Sequence, residues 1–223
     1  KVLIIGLGGL GSPVALYLAA AGVGELVLVD DDQVDLSNLQ RQIVHTTARI
    51  GMNKVDSAAQ MLRDINPDIK IMTRAERLDE EALQALVAQV DLVLDCTDNF
   101  STRFAVNRAC VDHQKPLVSG AAIRMEGQIA VFQPGVEGSP CYQCLYTEGD
   151  DETLTCSESG VLSPLVGIIG SMQALEALKV LANIGTSLTG RLLLLDAKHM
   201  EWRSLKLKPD PTCPVCSQKE LVV

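Results

Sequence analysis

The stretch Val2-Leu3-Ile4-Ile5-Gly6-Leu7-Gly8-Gly9-Leu10-Gly11 decides the fold. Its four apolar residues read as a buried strand, and the glycines after them as a tight turn that opens a helix. The next apolar run, 25–30, ends on an acid, Asp30. Strand, glycine turn, helix and acid together make a nucleotide site. Backbone N–H groups and the positive end of a helix dipole face an anion, and the carboxylate accepts hydrogen bonds from ribose hydroxyls. Gly8 and Gly9 let phosphates approach the backbone closely. The plainer alternative is a turn without a ligand, and the pattern does not name the nucleotide.

Working outward, strand-like runs recur at 69–73, 91–95, 116–120 and 128–132. Helical patterns fill the gaps, at about 12–22, 53–65, 79–89 and 101–114. Pro67 disfavours a helical Asn66 and so ends the second helix. Asn99 or Ser101 is suited to cap the fourth. Past Phe132 come a turn-rich loop, an acidic loop, a helix at about 163–183 and two strands, 191–196 and 201–207, that read as a hairpin. The fold class is therefore α/β: a Rossmann-like, mostly parallel sheet flanked by helices, with a C-terminal antiparallel extension. The chain reads as one domain, 1–223, with a nucleotide-binding half at 1–133 and a second half at 134–223.

The 223 residues are 47% hydrophobic but only 3% aromatic, so the core must be aliphatic, as in parallel sheets. A net charge of −9 with few aromatics argues against nucleic-acid binding. The uncharged run 159–175 is interrupted by Pro164, Gly167 and Gly170 and reads as a buried helix rather than a membrane span. No signal peptide is visible, and the chain starts in a core strand without an initiating Met, so residues ahead of Lys1 are expected. Seven cysteines with no secretory signal suit a reducing, cytoplasmic compartment and metal binding better than disulfides.

The glycine pattern alone would suggest a dinucleotide, but other groups point to a triphosphate. Ser37-Asn38-Leu39-Gln40-Arg41-Gln42 follows the second strand, Lys54 starts the next helix, and Cys96-Thr97-Asp98-Asn99 follows the fourth strand. All fall on the carboxyl edge of the sheet, where open α/β folds bind ligands. Fixed cations and a metal-holding carboxylate suit displacement at phosphorus. The bland reading is that Arg41 and Lys54 are surface cations and Asp98 a helix cap.

Gly6–Gly11, Asp30, Ser37–Gln42, Lys54 and Asp95–Asn99 together resemble the ThiF/MoeB family, which is similar to the adenylation domain of ubiquitin-activating enzymes. The resemblance covers essentially the whole chain. It implies that ATP activates the C-terminal Gly-Gly carboxylate of a ubiquitin-like sulfur-carrier protein, giving an acyl-adenylate and pyrophosphate. It further implies that Gly9, Asp30, Ser37, Asn38, Leu39, Gln40, Arg41, Lys54, Asp98 and Asn99 bind ATP. Asp98 would hold Mg²⁺, and Arg41 and Lys54 would stabilise the phosphates. The second half would take the carrier. A homodimer is implied, with a sulfurtransferase or cysteine desulfurase as a further partner. Ser119–Gln128 resembles the molybdopterin-pathway branch and Trp202–Leu205 the thiamine-pathway branch, with the former favoured. The family's N-terminal helical segment, whose arginine reaches a neighbouring ATP site, is absent from this sequence.

Cys141-Tyr142-Gln143-Cys144 and Cys213-Pro214-Val215-Cys216 are paired C-x₂-C motifs suited to one tetrahedral, structural Zn²⁺. Free thiols or a redox pair are the alternatives. Cys156, after the acidic loop, reads either as a nucleophile that bonds the activated carrier, as in ThiF-type relatives, or as an ordinary thiol. Cys96 and Cys110 read as packing residues, and His45, His113 and His199 as surface or packing residues. Arg124 and Gln128 flank either a groove for the carrier tail or a plain hairpin. Trp202 reads as core or interface. Two rivals remain: an NAD-dependent oxidoreductase, which leaves the cations and cysteines without a purpose, and a non-enzymatic nucleotide-binding scaffold.

Overall fold

The structure, a computed structural model, describes residues 1–147 and 160–217. Four residues, Val2–Ile5, form β1, and all four are buried. Val2 and Ile4 join the core on one face of the sheet, Leu3 and Ile5 the core on the other. Burial on both faces explains why the strand is continuously apolar rather than alternating.

The elements follow as α1 (Gly11–Ala20), β2 (Glu25–Val29), α2 (Lys54–Ile65), β3 (Lys70–Arg74), α3 (Glu80–Ala88), β4 (Leu92–Asp95), α4 (Phe100–Asp112), β5 (Leu117–Ile123), β6 (Glu126–Phe132), α5 (Ser163–Ala182), β7 (Arg191–Asp196) and β8 (Glu201–Lys206). The eight described strands form one sheet in the order β3-β2-β1-β4-β5-β6-β7-β8. The first five pair in parallel and the last three antiparallel. The α/β sheet with an antiparallel extension is thus as the sequence indicates. β5 and β6 run longer than expected, because they meet in a hairpin at Arg124, whose φ is +52°.

Helix ends follow local chemistry. The Asn99 side chain caps α4 by accepting from the Thr102 N–H at 2.9 Å, and Asp79 caps α3 by accepting from Ala82 at 2.8 Å. Asn66 is extended ahead of Pro67 and ends α2. Helices α1, α2 and α5 cover one face, and α3 and α4 the other. By length and composition α5 would pass as a membrane span. Here it packs on α1, β5 and β6, and Leu165, Val166, Ile169, Ala174 and Ala177 are buried in the core.

The strand order reverses between β1 and β4, which pair side by side and in parallel although β2 and β3 intervene in sequence. The chain therefore leaves the carboxyl ends of these adjacent strands towards opposite faces, to α1 and to α4, and a crevice opens between the two connections. The glycine turn closes its floor. A Cβ on Gly11 would lie 1.9 Å from the Gly6 carbonyl oxygen, and one on Gly6 would lie 2.8 Å from the Cys96 carbonyl oxygen. A Cβ on Gly8 would meet only the end of the Gln42 side chain, at 3.5 Å.

These contacts predict opposite outcomes for two alanine substitutions. Gly11→Ala is expected to destabilise by about 3 kcal/mol or to prevent folding. Gly8→Ala is expected to fold within about 1 kcal/mol of the parent. Denaturant unfolding of both variants checks the contrast.

Candidate functional site

A cleft of about 400 Å³ opens at the carboxyl ends of β1, β2 and β4. Gly6, Gly8 and Gly9 line it from the turn, Asp30 and Asp32 from the end of β2, and Thr97, Asp98 and Asn99 from the end of β4. Arg41 and Lys54 face it from the segment that follows β2 and from the first position of α2. The groups read separately from the sequence do converge on one crevice.

The cleft's polar groups hold one another. The Leu7 N–H donates to Asp30 Oδ2 at 2.6 Å, and the Leu7 carbonyl accepts from His45 Nε2 at 2.9 Å. Helix α1 starts at Leu10 without a side-chain cap, leaving its positive end for an anion. Burial raises the Asp30 carboxyl above the ordinary aspartate range, against the lowering effect of Lys54 at 4.0 Å. Lys54, with a side chain only 5% exposed, donates to Asp32 Oδ2 at 2.8 Å. Two carboxylates thus hold one buried ammonium at the cleft wall. Arg41 Nη2 donates to Asn38 Oδ1 at 2.8 Å.

A second cavity of about 690 Å³ shares Asp98, Asn99, Ser101, Arg103 and Ala122 with the first, so the two adjoin at a common wall. Gln128, Leu194, Asp196 and Arg203 bound it from the antiparallel part of the sheet. Its aromatic wall includes Phe100, Tyr142 and Tyr146, the two tyrosine rings 4.8 Å apart. Tyr146 donates to Gln128 Oε1 at 2.8 Å.

Arg103 is buried between the two cavities. Its guanidinium donates to the carbonyls of Thr97 and of Gly120, the latter at 3.0 Å, and lies 4.0 Å from Asp95 Oδ2. Asp95 also accepts from the Ser119 hydroxyl at 3.0 Å and from the Thr97 N–H at 3.0 Å. Gln173 of α5 donates to the Asp95 carbonyl at 2.9 Å. The loop that carries Asp98 is therefore tied to β5, α4 and α5.

The four cysteines of the two C-x₂-C pairs meet, with all sulfurs within 4.8 Å of one another. The Cys141–Cys213 and Cys144–Cys216 separations are 3.6 and 3.4 Å. A tetrahedral metal bound at about 2.3 Å per sulfur spaces them about 3.8 Å apart, so the cluster fits such an ion. Asn107 Nδ2 lies 3.6 Å from Cys141 Sγ, and the Asp210 N–H lies 3.4 Å from Cys144 Sγ, both donors suited to thiolates.

Of the residues read from the sequence, Gly9, Asp30, Arg41, Lys54, Asp98 and Asn99 line the cleft. Asn38 acts one step back, through Arg41. Ser37, Leu39 and Gln40 do not line it; they belong to a turn in which Ser37 bonds Asp35. Cys156 lies outside the described residues. Cys96 and Cys110 are buried packing residues whose thiols burial pushes well up. Gln128 lines the second cavity and Arg124 sits at the hairpin turn. His199 is exposed, and Trp202 is 40% exposed on β8. Sequence reasoning missed Gln42, His45, Asp32 and Arg103. Gln42 was within reach, since it ends the quoted motif and lines the cleft.

Residues 1–215 match the ThiF family. The chain is 51% identical over 218 residues to the molybdopterin-synthase adenylyltransferase of Escherichia coli (strain K12), covering 98% of this chain and 87% of that protein. It is 50% identical over 216 residues to the sulfur carrier protein ThiS adenylyltransferase of the same organism, covering 97% and 85%. The adenylyltransferase and sulfurtransferase MOCS3 of Anopheles gambiae is 46% identical over 221 residues, covering 98% of this chain and 50% of that protein. The crystal structure of E. coli MccB with ATP superposes with a TM-score of 0.84 at 23% identity, covering 97% of this chain and 65% of that one, a likeness of fold. With glycine turn, acid and cations gathered in one cleft and the match running over residues 1–215, the chain belongs to the ThiF family.

Proposed function

We propose that this chain is an ATP-dependent adenylyltransferase acting on the C-terminal glycine carboxylate of a ubiquitin-like sulfur-carrier protein in molybdopterin biosynthesis. The observation that carries the reading is the adjacency of two cavities, which share a wall. The polar cleft suits a nucleotide triphosphate, and the larger cavity suits an extended Gly-Gly tail, with Asp98, Asn99 and Arg103 at their junction. Relatives named molybdopterin-synthase adenylyltransferase in three bacteria support the branch. The thiamine-pathway carrier is the second reading, favoured by 50% identity to the ThiS adenylyltransferase.

In this reading Asp30 accepts the ribose hydroxyls and the glycine turn receives phosphate oxygens on its N–H groups. The carrier carboxylate is already ionised at neutral pH and needs no general base. One carboxylate oxygen bonds to the α-phosphorus. The bond from that phosphorus to the oxygen bridging to the β-phosphate breaks, and pyrophosphate leaves with the electron pair. Arg41 and Lys54 stabilise the charge that grows on the leaving group. Lys54 must exchange part of its bond to Asp32 for phosphate as ATP enters. Asp98, an exposed carboxylate at the junction, suits a hard cation. Mg²⁺ there would neutralise phosphate charge. Positioning and electrostatics therefore supply the catalysis.

Cys141, Cys144, Cys213 and Cys216 would hold Zn²⁺ in a structural role, clipping the tail onto the loop that follows β6. In this reading 1–133 serves the nucleotide, and the carrier tail is taken jointly by residues of 1–133, among them Phe100 and Gln128, and of 134–223, among them Tyr146 and Arg203. Cys156 is a candidate for a covalent bond to the activated carrier, with a sulfurtransferase or cysteine desulfurase as the sulfur source. The apolar face where Tyr17 and Ile43 are 56% exposed, beside Ile168 and Leu175, suits a second copy of the chain. The clustered thiols suit the reducing cytoplasm.

Two measurements follow. Asp98→Ala should abolish carrier-dependent pyrophosphate exchange into ATP while the unfolding midpoint stays within a few degrees of the parent; near-normal exchange would remove Asp98 from the mechanism. Metal analysis of freshly purified reduced protein should find about one zinc per chain, absent in Cys141→Ser. A metal-free parent of unchanged stability would refute the zinc assignment.

A further inference from the structure

His45 reads from the sequence as a surface or packing residue; in the structure the ring is buried and both of its nitrogens are engaged. Nε2 lies 2.9 Å from the Leu7 carbonyl oxygen and Nδ1 lies 2.9 Å from the Ser57 hydroxyl. A carbonyl oxygen only accepts, so Nε2 carries the proton and the bare Nδ1 accepts from Ser57. Burial, with Lys54 and Arg49 nearby, lowers the ring's pKa to about 4, so it stays neutral in this tautomer at working pH.

The bonded carbonyl belongs to the Leu7–Gly8 peptide. In a trans peptide the C=O and the N–H point in opposite directions. A group that pins the Leu7 carbonyl on the protein side therefore turns the Gly8 N–H the other way. Gly8 lines the cleft, and among the described residues its N–H has no hydrogen-bond partner. The preceding peptide is pinned too, by Asp30 on the Leu7 N–H. The turn is thus held from both sides, with one backbone donor left over.

We propose that His45, oriented by Ser57, is a positioning residue that aims the Gly8 N–H at the phosphates of the bound nucleotide. The proposal rests on the nucleotide reading above. It makes α2 a carrier of two functions on one face, since Lys54 and Ser57 are three residues apart: one supplies a cation and the other sets the ring that sets the turn.

The test compares ATP–Mg²⁺ with adenosine, which lacks phosphates, by titration calorimetry on the folded protein. His45→Leu should weaken ATP about tenfold, as expected for one misdirected charge-assisted donor, and leave adenosine within about twofold. His45→Gln, whose amide N–H can reach the same carbonyl, should restore ATP binding to within about threefold of the parent. Ser57→Ala, which keeps the ring but frees its tautomer, should give a smaller loss of the same phosphate-selective kind, and it carries the test if His45→Leu does not fold. Unchanged ATP binding in His45→Leu, or an equal loss for ATP and adenosine, would overturn the proposal. A parent protein that binds adenosine normally but gains nothing from the phosphates would overturn it together with the triphosphate reading. A parent that binds neither ligand would overturn the nucleotide reading itself.

Discussion

The structure depends on one close approach of backbone to backbone. Where β1 ends, Gly6 lies against the carbonyl of Cys96 at the end of β4, and Gly11 lies against Gly6. No side chain fits at either point. The approach brings the glycine turn and the Thr97–Asp98–Asn99 loop to one crevice, at the place where the strand order reverses. The backbone donors and side chains of these two loops are then positioned by what grips them: Asp30 and His45 grip the first, Arg103, Asp95 and Gln173 the second. The cleft is a consequence of topology, and the polar residues around it fix its detail.

The electrostatics of the cleft point the same way. Asp30 is buried enough that its charge is disfavoured, and Lys54 is buried and held by two carboxylates. An isolated charge in such surroundings would be costly, and the cluster persists because each member is paired. Hydroxyl donors at Asp30 and phosphates at Lys54 would satisfy these charges further. Arg103 adds a mechanical link, because the loop bearing Asp98 cannot shift without disturbing β5 and the wall of the larger cavity.

Much of this was legible in the sequence. β1, β2 and β4 are short apolar runs that end at glycine or acid, and burial on both faces removes any need for alternation, so they read nearly to the residue; β3, at the sheet edge, alternates between exposed and half-buried residues instead. The C-x₂-C pairs announced a cluster that geometry bears out. What could not be read depends on pairs distant in sequence. His45 is a lone histidine whose partners lie 12 and 38 positions away, and no periodicity signals them. Arg103 looks like an ordinary helix residue until its carbonyl acceptors at Thr97 and Gly120 are seen. Ser37–Gln42 was read as one block, whereas the chain turns there and sends only Arg41 and Gln42 to the cleft. Motif reading finds the right segment; the turn chooses the residues.

The most direct measurement is pyrophosphate exchange into ATP by the unaltered protein, run against carriers that end in Gly-Gly. Exchange is expected to require both Mg²⁺ and a carrier, and to disappear when the carrier's terminal glycine is removed. Exchange that is absent with every such carrier, or that proceeds equally well without one, would contradict the proposed function.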